Sequence, residues 1–353
     1  MIKVIADITM PLDGFVTGGG ADPHHGLGDA PELHRWVTEQ DDVDIEILVQ
    51  STAASGAVVM GGGCSTPSTA PTDGTRTWGT APIRPGTRRS SSSPTVDGSR
   101  RDEVRLGSSR TPEARSAAAS PAAADVTTTD HQEVTMSQVR VHNFSISLDG
   151  FGTGDGITFD APFGHAGERL HEWMFATRFW RSMVGDTGGT SGVDHSFAER
   201  IQLGFGAEIM GRGKFGPQTG PWTDVGTDDE WRGWWGPNPP FHTPVFVLTH
   251  HPRPSIEMEG GTVFHFVNAN PQEALDLARE AAGGLDVRIG GGPTVVRDFL
   301  AANLIDTLHV VEVPILLGRG VRLWDGVEGV EERYNIEAVA SPSGVTHLTF
   351  TRR

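Results

Sequence analysis

Residues 139–353 are predicted to form an α/β fold, in which helices cover both faces of a mostly parallel central sheet. Three observations favour this fold. Short apolar segments alternate with amphipathic helical segments along this part of the chain. Two apolar segments end in glycine-rich turns, and one of these turns leads directly into a helical segment. The last two segments are predicted to form an antiparallel hairpin that closes the sheet.

The elements follow one another in regular order. Val139–Ser147 alternates apolar and polar residues and is predicted to be a strand, and Asp149-Gly150 marks a turn after it. Residues 166–179 carry apolar side chains at helical spacing and are predicted to form a helix. Pro271–Ala282 is amphipathic, with proline at its start, and is predicted to be a second long helix. The other predicted helices are 196–204 and 294–302, and the other predicted strands are 207–210, 245–249, 262–267, 287–289, 307–313, 333–341 and 346–351.

Composition and charge exclude several classes of protein. The chain has 353 residues, with 28 Lys+Arg and 45 Asp+Glu, for a formal net charge of −17. Such a charge repels nucleic acids and anionic membranes, so neither is expected as a partner. The single cysteine, Cys64, excludes an internal disulfide framework, and no metal site is predicted. The chain shows no secretory signal and no apolar run near the roughly 18 residues of a membrane span, so we expect a cytoplasmic protein.

The chain divides into three parts. Residues 81–135 contain six large aliphatic residues and no aromatic residue, and Ser, Ala, Thr, Pro, Gly and Arg dominate them. Such a segment cannot bury enough apolar surface to offset its backbone entropy, so it is predicted to be a disordered linker. The net charges of residues 1–80, 81–135 and 136–353 are −8, +1 and −10.

The parts on either side of the linker resemble each other. Leu12-Asp13-Gly14-Phe15 matches Leu148-Asp149-Gly150-Phe151, and Leu33-His34-Arg35-Trp36 matches Leu170-His171-Glu172-Trp173. The shared order and spacing predict an internal duplication. The first copy ends near residue 79, and we expect it to contain a strand, a helix around Leu33–Trp36 and a second strand ending at Met60-Gly61.

Two hypotheses account for the linker. The chain has two lysines and 26 arginines, which hints at GC-rich coding, and a reading-frame slip in such DNA produces Arg/Ala/Ser/Pro-rich sequence. Residues 81–135 would then be the frame-shifted remainder of the first copy, with Met136 an ancestral start. The alternative is a genuine flexible linker. Translating the other two frames of the coding DNA distinguishes the two hypotheses.

Three segments are candidates for binding phosphate groups. Gly290-Gly291-Gly292 lies between a strand and a helix, where backbone N–H groups and the positive end of the helix dipole favour an anion. Gly211-Arg212-Gly213-Lys214 places two basic side chains at the end of an apolar strand. Thr249-His250-His251 follows the next apolar strand. Taken singly, each segment is equally consistent with a tight turn or a solvated loop.

Together with Ile146–Phe151, these segments resemble the dihydrofolate reductase-like superfamily, in particular the C-terminal reductase domain of the bifunctional riboflavin-biosynthesis deaminase-reductase. The resemblance covers about residues 139–351, and its most specific parts are Leu304–Val310 and Pro314–Gly320. It implies a three-layer fold with a mostly parallel sheet, preceded here by a truncated copy and the linker. A zinc deaminase would need H-x-E and P-C-x-x-C motifs, which a chain with one cysteine does not contain.

The resemblance implies an NADPH-dependent oxidoreductase that reduces a small carbonyl or imine, such as a riboflavin or pterin precursor. It would place the NADPH-binding residues along the strand ends and the glycine turn, with the nicotinamide beside the turn after the first strand. A non-catalytic nucleotide-binding or dimeric interaction protein on the same fold is the alternative. The implied NADPH-binding residues are Phe151, Gly152, Gly211, Arg212, Thr249, His250, Gly290, Gly291, Gly292 and Thr294.

The resemblance does not identify the proton donor, because no acidic residue falls on the position at which folate reductases carry a helix carboxylate. Glu172 and Asp194 are the leading candidates, with Glu168 and His171 behind them. The truncated copy is expected to pack on the complete domain as a homodimer partner would. A cluster of tryptophans forms either an aromatic subcore or a stacking wall for a flat heterocycle: Trp222, Trp231, Trp234 and Trp235.

Overall fold

The computed structural model describes residues 137–353 continuously. In the N-terminal part it describes residues 41–53 and five isolated positions within 10–35 together with Glu39. The predicted linker, both strands of the truncated copy and most of the helix expected around Leu33–Trp36 lie outside the described residues. The described part of residues 1–80, the predicted truncated copy, contains the helix α1 (Asp42–Ala53), which the sequence did not predict.

Residues 137–353 form an α/β fold around a nine-stranded sheet with the order β10-β11-β8-β1-β7-β3-β4-β6-β5. Every neighbouring pair from β8 to β6 is parallel, and the three edge strands β10, β11 and β5 are antiparallel. A separate two-stranded sheet pairs β2 with β9. The strands are β1 (Val139–Ser147), β2 (Phe151–Thr153), β3 (Phe205–Gly211), β4 (Pro244–Leu248), β5 (Ile256–Glu257), β6 (Val263–Val267), β7 (Asp286–Gly291), β8 (Thr307–Val313), β9 (Val321–Arg322), β10 (Tyr334–Ala340) and β11 (Thr346–Arg352).

Helices lie on both faces of the large sheet, as the sequence predicts. The two longer helices, α6 and α7, pack on one face together with Leu323, Val327 and Tyr334. The opposite face is covered beside β8 by Leu170, Trp173 and their neighbours, and beside β4 by a separate aromatic cluster. After α1, the α-helices are α2 (Glu172–Phe175), α3 (Arg178–Met183), α4 (Val193–Ala198), α5 (Arg212–Phe215), α6 (Pro271–Ala282) and α7 (Pro293–Ala301).

Most predicted elements lie where the sequence places them, and β1, α6 and β8 have the predicted bounds. Helix α6 is well specified locally: Asn270 and Glu273 form a reciprocal capping box, and Gly283 ends the helix in a left-handed conformation. The long helix predicted over residues 166–179 is wrong. This stretch contains a 3-10 turn, Gly164–Ala166, then the short helices α2 and α3, because Thr177 interrupts the helix and caps α3 by accepting from the Trp180 amide.

The Leu148-Asp149-Gly150 turn is held by a distant part of the chain. Asp149 accepts hydrogen bonds from the amides of Leu317 (3.1 Å) and Gly318 (2.6 Å) and from the Ser147 hydroxyl (2.5 Å). Burial alone would raise the pKa of Asp149, but these hydrogen bonds outweigh it and lower the pKa. The turn and the Pro314–Gly320 segment, which both carry the family resemblance, therefore form one structural unit.

The turn of the truncated copy lies against this same unit. The backbone carbonyl of Asp13 accepts a hydrogen bond from Arg322 Nη1 at 3.0 Å. The Leu12 carbonyl faces Gly150, and the Leu12 side chain is partly buried against the main core. In the predicted duplication Leu12 corresponds to Leu148, and it lies beside the turn that follows Leu148. Packing of the predicted truncated copy on the complete domain stays a prediction.

Candidate functional site

A cavity of about 720 Å³ opens where the carboxyl ends of β3 and β4 approach the amino end of α7. Ligands of open α/β sheets bind at this edge, because the helix N-termini and strand-end loops converge there. Of the ten predicted cofactor residues, five line the cavity. They are Gly211, Arg212, Thr249, His250 and Thr294.

Gly211 allows the helix to come close to the strand end. A Cβ atom at this position would lie 2.9 Å from Val295 Cγ2, closer than side chains pack. Helix α7 begins at Pro293 after Gly292, which gives no side-chain cap to the first amides of the helix. Thr294 and Val295 of this uncapped first turn line the cavity, and the start of a helix is suited to an anion.

Arg212 provides the cation of the cavity. Its Nη1 atom donates to the Gly220 carbonyl at 2.5 Å, and its guanidinium stacks over Trp222 at 3.7 Å. Its Nε and Nη2 atoms are buried and have no hydrogen-bond partner among the described residues. Burial and then the nearby Arg253 lower the pKa of Arg212, against the opposing effect of Asp224. Two unpartnered donors on a held guanidinium suit a phosphate oxygen.

Arg253, the other arginine near Trp222, is already neutralised. It forms ion pairs with Glu230 and, at 3.9 Å, with Asp224. It does not line the cavity. Two exposed carboxylates, Asp155 and Asp298, do line it, so the positive potential is confined to the Arg212 side.

The other five predicted cofactor residues lie deeper along the same edge of the sheet. Phe151 and Gly152 belong to β2, and a Cβ atom on Gly152 would meet the Phe144 ring at 2.8 Å and Pro293 Cγ at 3.0 Å. A Cβ atom on Gly291 would lie 3.2 Å from the same Phe144 ring. Gly152 of β2 and Gly291 of the glycine turn therefore lie against the same Phe144 ring. None of the five residues lines the cavity.

Gly290 borders a charged cluster inside the sheet that the sequence analysis did not identify. Glu208, in the middle of β3, is fully buried and accepts from Lys214 Nζ at 2.9 Å and from Arg288 Nε at 2.7 Å. A Cβ atom on Gly290 would overlap the Glu208 carboxylate and lie 2.6 Å from Lys214 Nζ. The sequence signal for this cluster is a single glutamate, Glu208, inside the apolar segment 205–211.

Lys214 and Arg212 therefore do not act as the basic pair that the sequence suggests. They lie two positions apart at the start of α5, so their side chains leave the helix in different directions. Arg212 turns to the cavity, whereas Lys214 turns to Glu208.

Neither leading candidate for the proton donor lines the cavity. Glu172 is exposed in the first turn of α2. Asp194 is 8% exposed and accepts from His347 Nε2 at 2.9 Å. His347 Nδ1 lies 3.1 Å from His309 Nε2, and His309 Nδ1 accepts from the Asn143 amide at 3.1 Å. Because Nδ1 of His309 accepts from a backbone amide, the ring proton of His309 lies on Nε2. His309 therefore donates through Nε2 to His347 Nδ1, and His347 donates through its own Nε2 to Asp194.

The tryptophans belong mainly to the aromatic subcore. Trp222, Trp231 and Trp235 pack against the cluster around Phe215 and Phe264. The indole nitrogen of Trp231 donates to the Phe215 carbonyl at 2.9 Å.

Comparison with known proteins identifies the family. The model of the RibD C-terminal domain matches residues 141–341, which is more than half of the chain. A search of curated proteins gives no significant match. Among the described residues, no helix is both long enough and apolar enough to cross a membrane.

Three similar solved structures each align with 62% of this chain. A riboflavin biosynthesis protein from Shewanella sp. PV-4 is 20% identical, with 99% of its chain covered and a TM-score of 0.37. A pyrimidine reductase-like protein from Corynebacterium diphtheriae is 15% identical, with 92% covered and a TM-score of 0.34. A diaminohydroxyphosphoribosylaminopyrimidine deaminase/5-amino-6-(5-phosphoribosylamino)uracil reductase from Thermotoga maritima is 14% identical, with 57% covered and a TM-score of 0.37.

Proposed function

This chain belongs to the RibD C-terminal domain family, and we propose that residues 136–353 form an NADPH-dependent reductase of a small carbonyl or imine compound. The observation that carries the proposal is the buried, unpartnered pair of donors on Arg212, in a cavity that also receives the amino end of α7. Among the residues that the structure describes, no other arginine lines that cavity.

The residues of the cavity fit the phosphate groups of a dinucleotide. The α7 amides and Thr294 would hold the pyrophosphate, and Arg212 would bind the 2′-phosphate that distinguishes NADPH from NADH. The exposed carboxylates Asp155 and Asp298 can accept hydrogen bonds from ribose hydroxyls. When bound, NADPH would supply the hydride.

The deeper residues would hold the rest of the cofactor, with the Gly290–Gly292 turn beside the pyrophosphate and with Phe151 and Gly152 beside the nicotinamide. Phe151, Gly152 and the Gly290–Gly292 turn meet around Phe144, at the edge of the sheet that continues from the cavity. A Cβ atom on Gly292 would meet nothing within 4 Å, so a ligand could lie close to the backbone at that glycine. Holding donor and acceptor in such an arrangement supplies much of the rate in reductases.

Arg212→Ala is expected to weaken NADPH binding about 10- to 100-fold, the usual loss for a charge-assisted hydrogen bond. It should weaken NADH binding by less than about threefold, because NADH lacks the 2′-phosphate. Isothermal calorimetry with both nucleotides measures this difference. Arg279→Ala, on the exposed last turn of α6, is the matched control and should change neither affinity.

Equal losses for NADPH and NADH would contradict the role of Arg212 at the 2′-phosphate. His250 would then be the next candidate, because it lines the cavity and is exposed. Arg253 is not an alternative, since Glu230 and Asp224 already neutralise it.

Hydride transfer distinguishes an enzyme from a non-catalytic nucleotide-binding protein on the same fold. The full chain is expected to oxidise NADPH, followed at 340 nm, with an aminopyrimidine ribosyl, pterin or quinone acceptor. Binding of NADPH without oxidation by any of the three acceptor classes would favour the non-catalytic alternative.

Deleting residues 1–135 is expected to leave NADPH affinity within about threefold and the melting temperature within about 4 °C, a change of about 1 kcal/mol or less for a domain of this size. No described residue of the truncated copy lines the cavity. Helix α1 leaves Val43, Ile45, Ile47 and Val49 exposed, so it does not add a packed core. Calorimetry measures the NADPH affinity of the full and shortened chains, and thermal unfolding measures their melting temperatures.

The contact of Leu12 and Asp13 with the complete domain gives this deletion a second readout. We propose that a homodimer can form through the surface that these residues cover, because duplicated copies share complementary surfaces. The shortened chain should then dimerise in sedimentation experiments. Loss of folding or of NADPH affinity would instead show that the N-terminal copy is structurally required.

A further inference from the structure

The buried cluster of Glu208, Arg288 and Lys214 contains two positive charges and one negative charge. Arg288 binds the Glu208 carboxylate through both Nε and Nη2, and this pair alone is neutral. Lys214 adds a third charge through a single hydrogen bond to Glu208 Oε1. A partly buried ammonium without its own counter-charge is costly, and a bound electron-rich atom would offset that cost.

The side chain of Lys214 is the most exposed of the three. Its side chain is 29% exposed, whereas those of Glu208 and Arg288 are 0% and 8% exposed. A lysine ammonium has three N–H groups, and only the bond to Glu208 is made among the described residues. Two hydrogens are therefore available to a ligand.

Lys214 lies at the junction between the glycine turn and the layer that carries α2. Its Nζ atom is beside Gly290, next to the turn that would hold the cofactor. His171, before α2, is close enough that burial and then the Lys214 charge lower its pKa to about 4. The buried Nδ1 atom of His171 also has no partner in the described residues. An ammonium with spare N–H groups and an unpartnered imidazole nitrogen thus lie within electrostatic range of each other, as expected around a polar ligand.

We propose that Lys214 is a catalytic residue, which hydrogen-bonds the carbonyl oxygen or imine nitrogen of the acceptor and protonates it during reduction. The inference rests on the proposed reductase function. Glu208 is a positioning residue, because it holds the ammonium beside Gly290. Neither leading acidic candidate has such a position, since Glu172 is exposed and Asp194 is engaged by His347.

The proposed step is balanced. The acceptor carbon gains a hydride from the reduced dinucleotide, which leaves oxidised, and the electron pair of the C=O or C=N bond moves to the heteroatom. That atom takes a proton from Lys214 Nζ, and the electrons of the broken N–H bond remain on the nitrogen. Lys214 then regains a proton from water.

Two charged groups and one neutral imidazole surround Lys214. They are Glu208 on β3, Arg288 on β7 and the neutral His171 before α2. Burial lowers the pKa of Lys214, with a further decrease from Arg288, and Glu208 opposes the change. The net decrease brings the ammonium closer to the pH at which it can release a proton.

The chain offers a direct measurement, because Lys3 and Lys214 are its only lysines. In a full-length Lys3→Arg variant labelled with ¹³Cε-lysine, NMR should show one lysine resonance. We expect it to titrate clearly below the ordinary value of about 10.4. We also expect the kcat of the same variant, with 9,10-phenanthrenequinone as the acceptor and saturating NADPH, to fall with rising pH. The midpoint of that fall should match the NMR titration.

Substitutions separate a catalytic role from a structural one. Lys214→Met keeps the neutral Glu208–Arg288 pair, so it should fold and bind NADPH within about threefold of the parent. Its kcat should fall about 100-fold or more, the usual contribution of a general acid, and the high-pH decrease should disappear. Lys214→Arg should also lose most activity, because a guanidinium does not release its proton.

Each alternative result has a distinct meaning. A Lys214 titration near 10.4, or a Lys214→Met enzyme with parental kcat and pH profile, would overturn the role of Lys214 while leaving the reductase proposal intact. Failure of the unmodified chain to bind or oxidise NADPH would instead refute the proposed function, and the Lys214 proposal with it.

Discussion

Gly291→Asp is expected to abolish NADPH binding, raising the dissociation constant about 100-fold or more, because like charges placed together cost several kcal/mol. The new carboxylate would stand at the turn before α7 and repel the phosphates that the site is proposed to hold. Gly291 also has a φ of 103°, a conformation that residues with a side chain rarely adopt. Calorimetric titration with NADPH makes the measurement.

Gly291→Ala is the matched control for this substitution. It imposes the same backbone strain and the same approach to the Phe144 ring, 3.2 Å from the new Cβ atom, without adding a charge. The difference in affinity between the two variants isolates the electrostatic effect. An aspartate variant that binds NADPH as tightly as the alanine variant would contradict a phosphate site at this turn.

Glu208→Gln is expected to lower the free energy of unfolding by about 3–5 kcal/mol, because it leaves buried cations without a counter-charge. Arg288 and Lys214 would then face each other inside the sheet with no carboxylate between them. Urea unfolding at neutral pH gives the value. Glu280→Gln, at an exposed position of α6, is the control and should change stability by less than about 0.5 kcal/mol.

The pH dependence of this loss follows from the Glu208 carboxylate. Burial raises its pKa, but Arg288 and Lys214 outweigh burial, so the pKa is lowered overall. Such a group stabilises the fold above its unfolded pKa, and that stabilisation is lost as the pH falls through the folded value. The difference between parent and Glu208→Gln should therefore shrink in acid. A loss below about 1 kcal/mol at neutral pH would show that the cluster is not the buried network described above.

A second substitution tests whether Lys214 adds a positive charge that nothing in the cluster compensates. Lys214→Met in the Glu208→Gln background should restore part of the lost stability, because it removes one of the two uncompensated cations.

The sequence by itself determined the elements whose signals are local. The alternation of Val139–Ser147 and the helical periodicity and capping residues of Pro271–Ala282 depend on residues within one element, and both were predicted with their observed bounds. The mostly parallel sheet followed from the order of such elements. The phosphate-binding candidates at Gly211-Arg212 and Thr249-His250 were recognisable because strand ends and glycines mark turns, and the structure brings all four into one cavity.

Only the tertiary structure decided which polar groups meet. Asp149 finds its amides at Leu317 and Gly318, and the β2–β9 sheet pairs segments more than 160 residues apart. Residues 166–179 carry helical periodicity, yet Thr177 divides them, since its hydroxyl caps α3 and a continuous helix does not form. Glu208 and Arg288 lie 80 positions apart, and no local pattern reveals that Lys214 is the third member of their cluster. Hydrophobic periodicity reports which face of an element is buried, whereas a charge is neutralised by whatever partner the fold brings to it, and that partner is fixed only when the strands assemble.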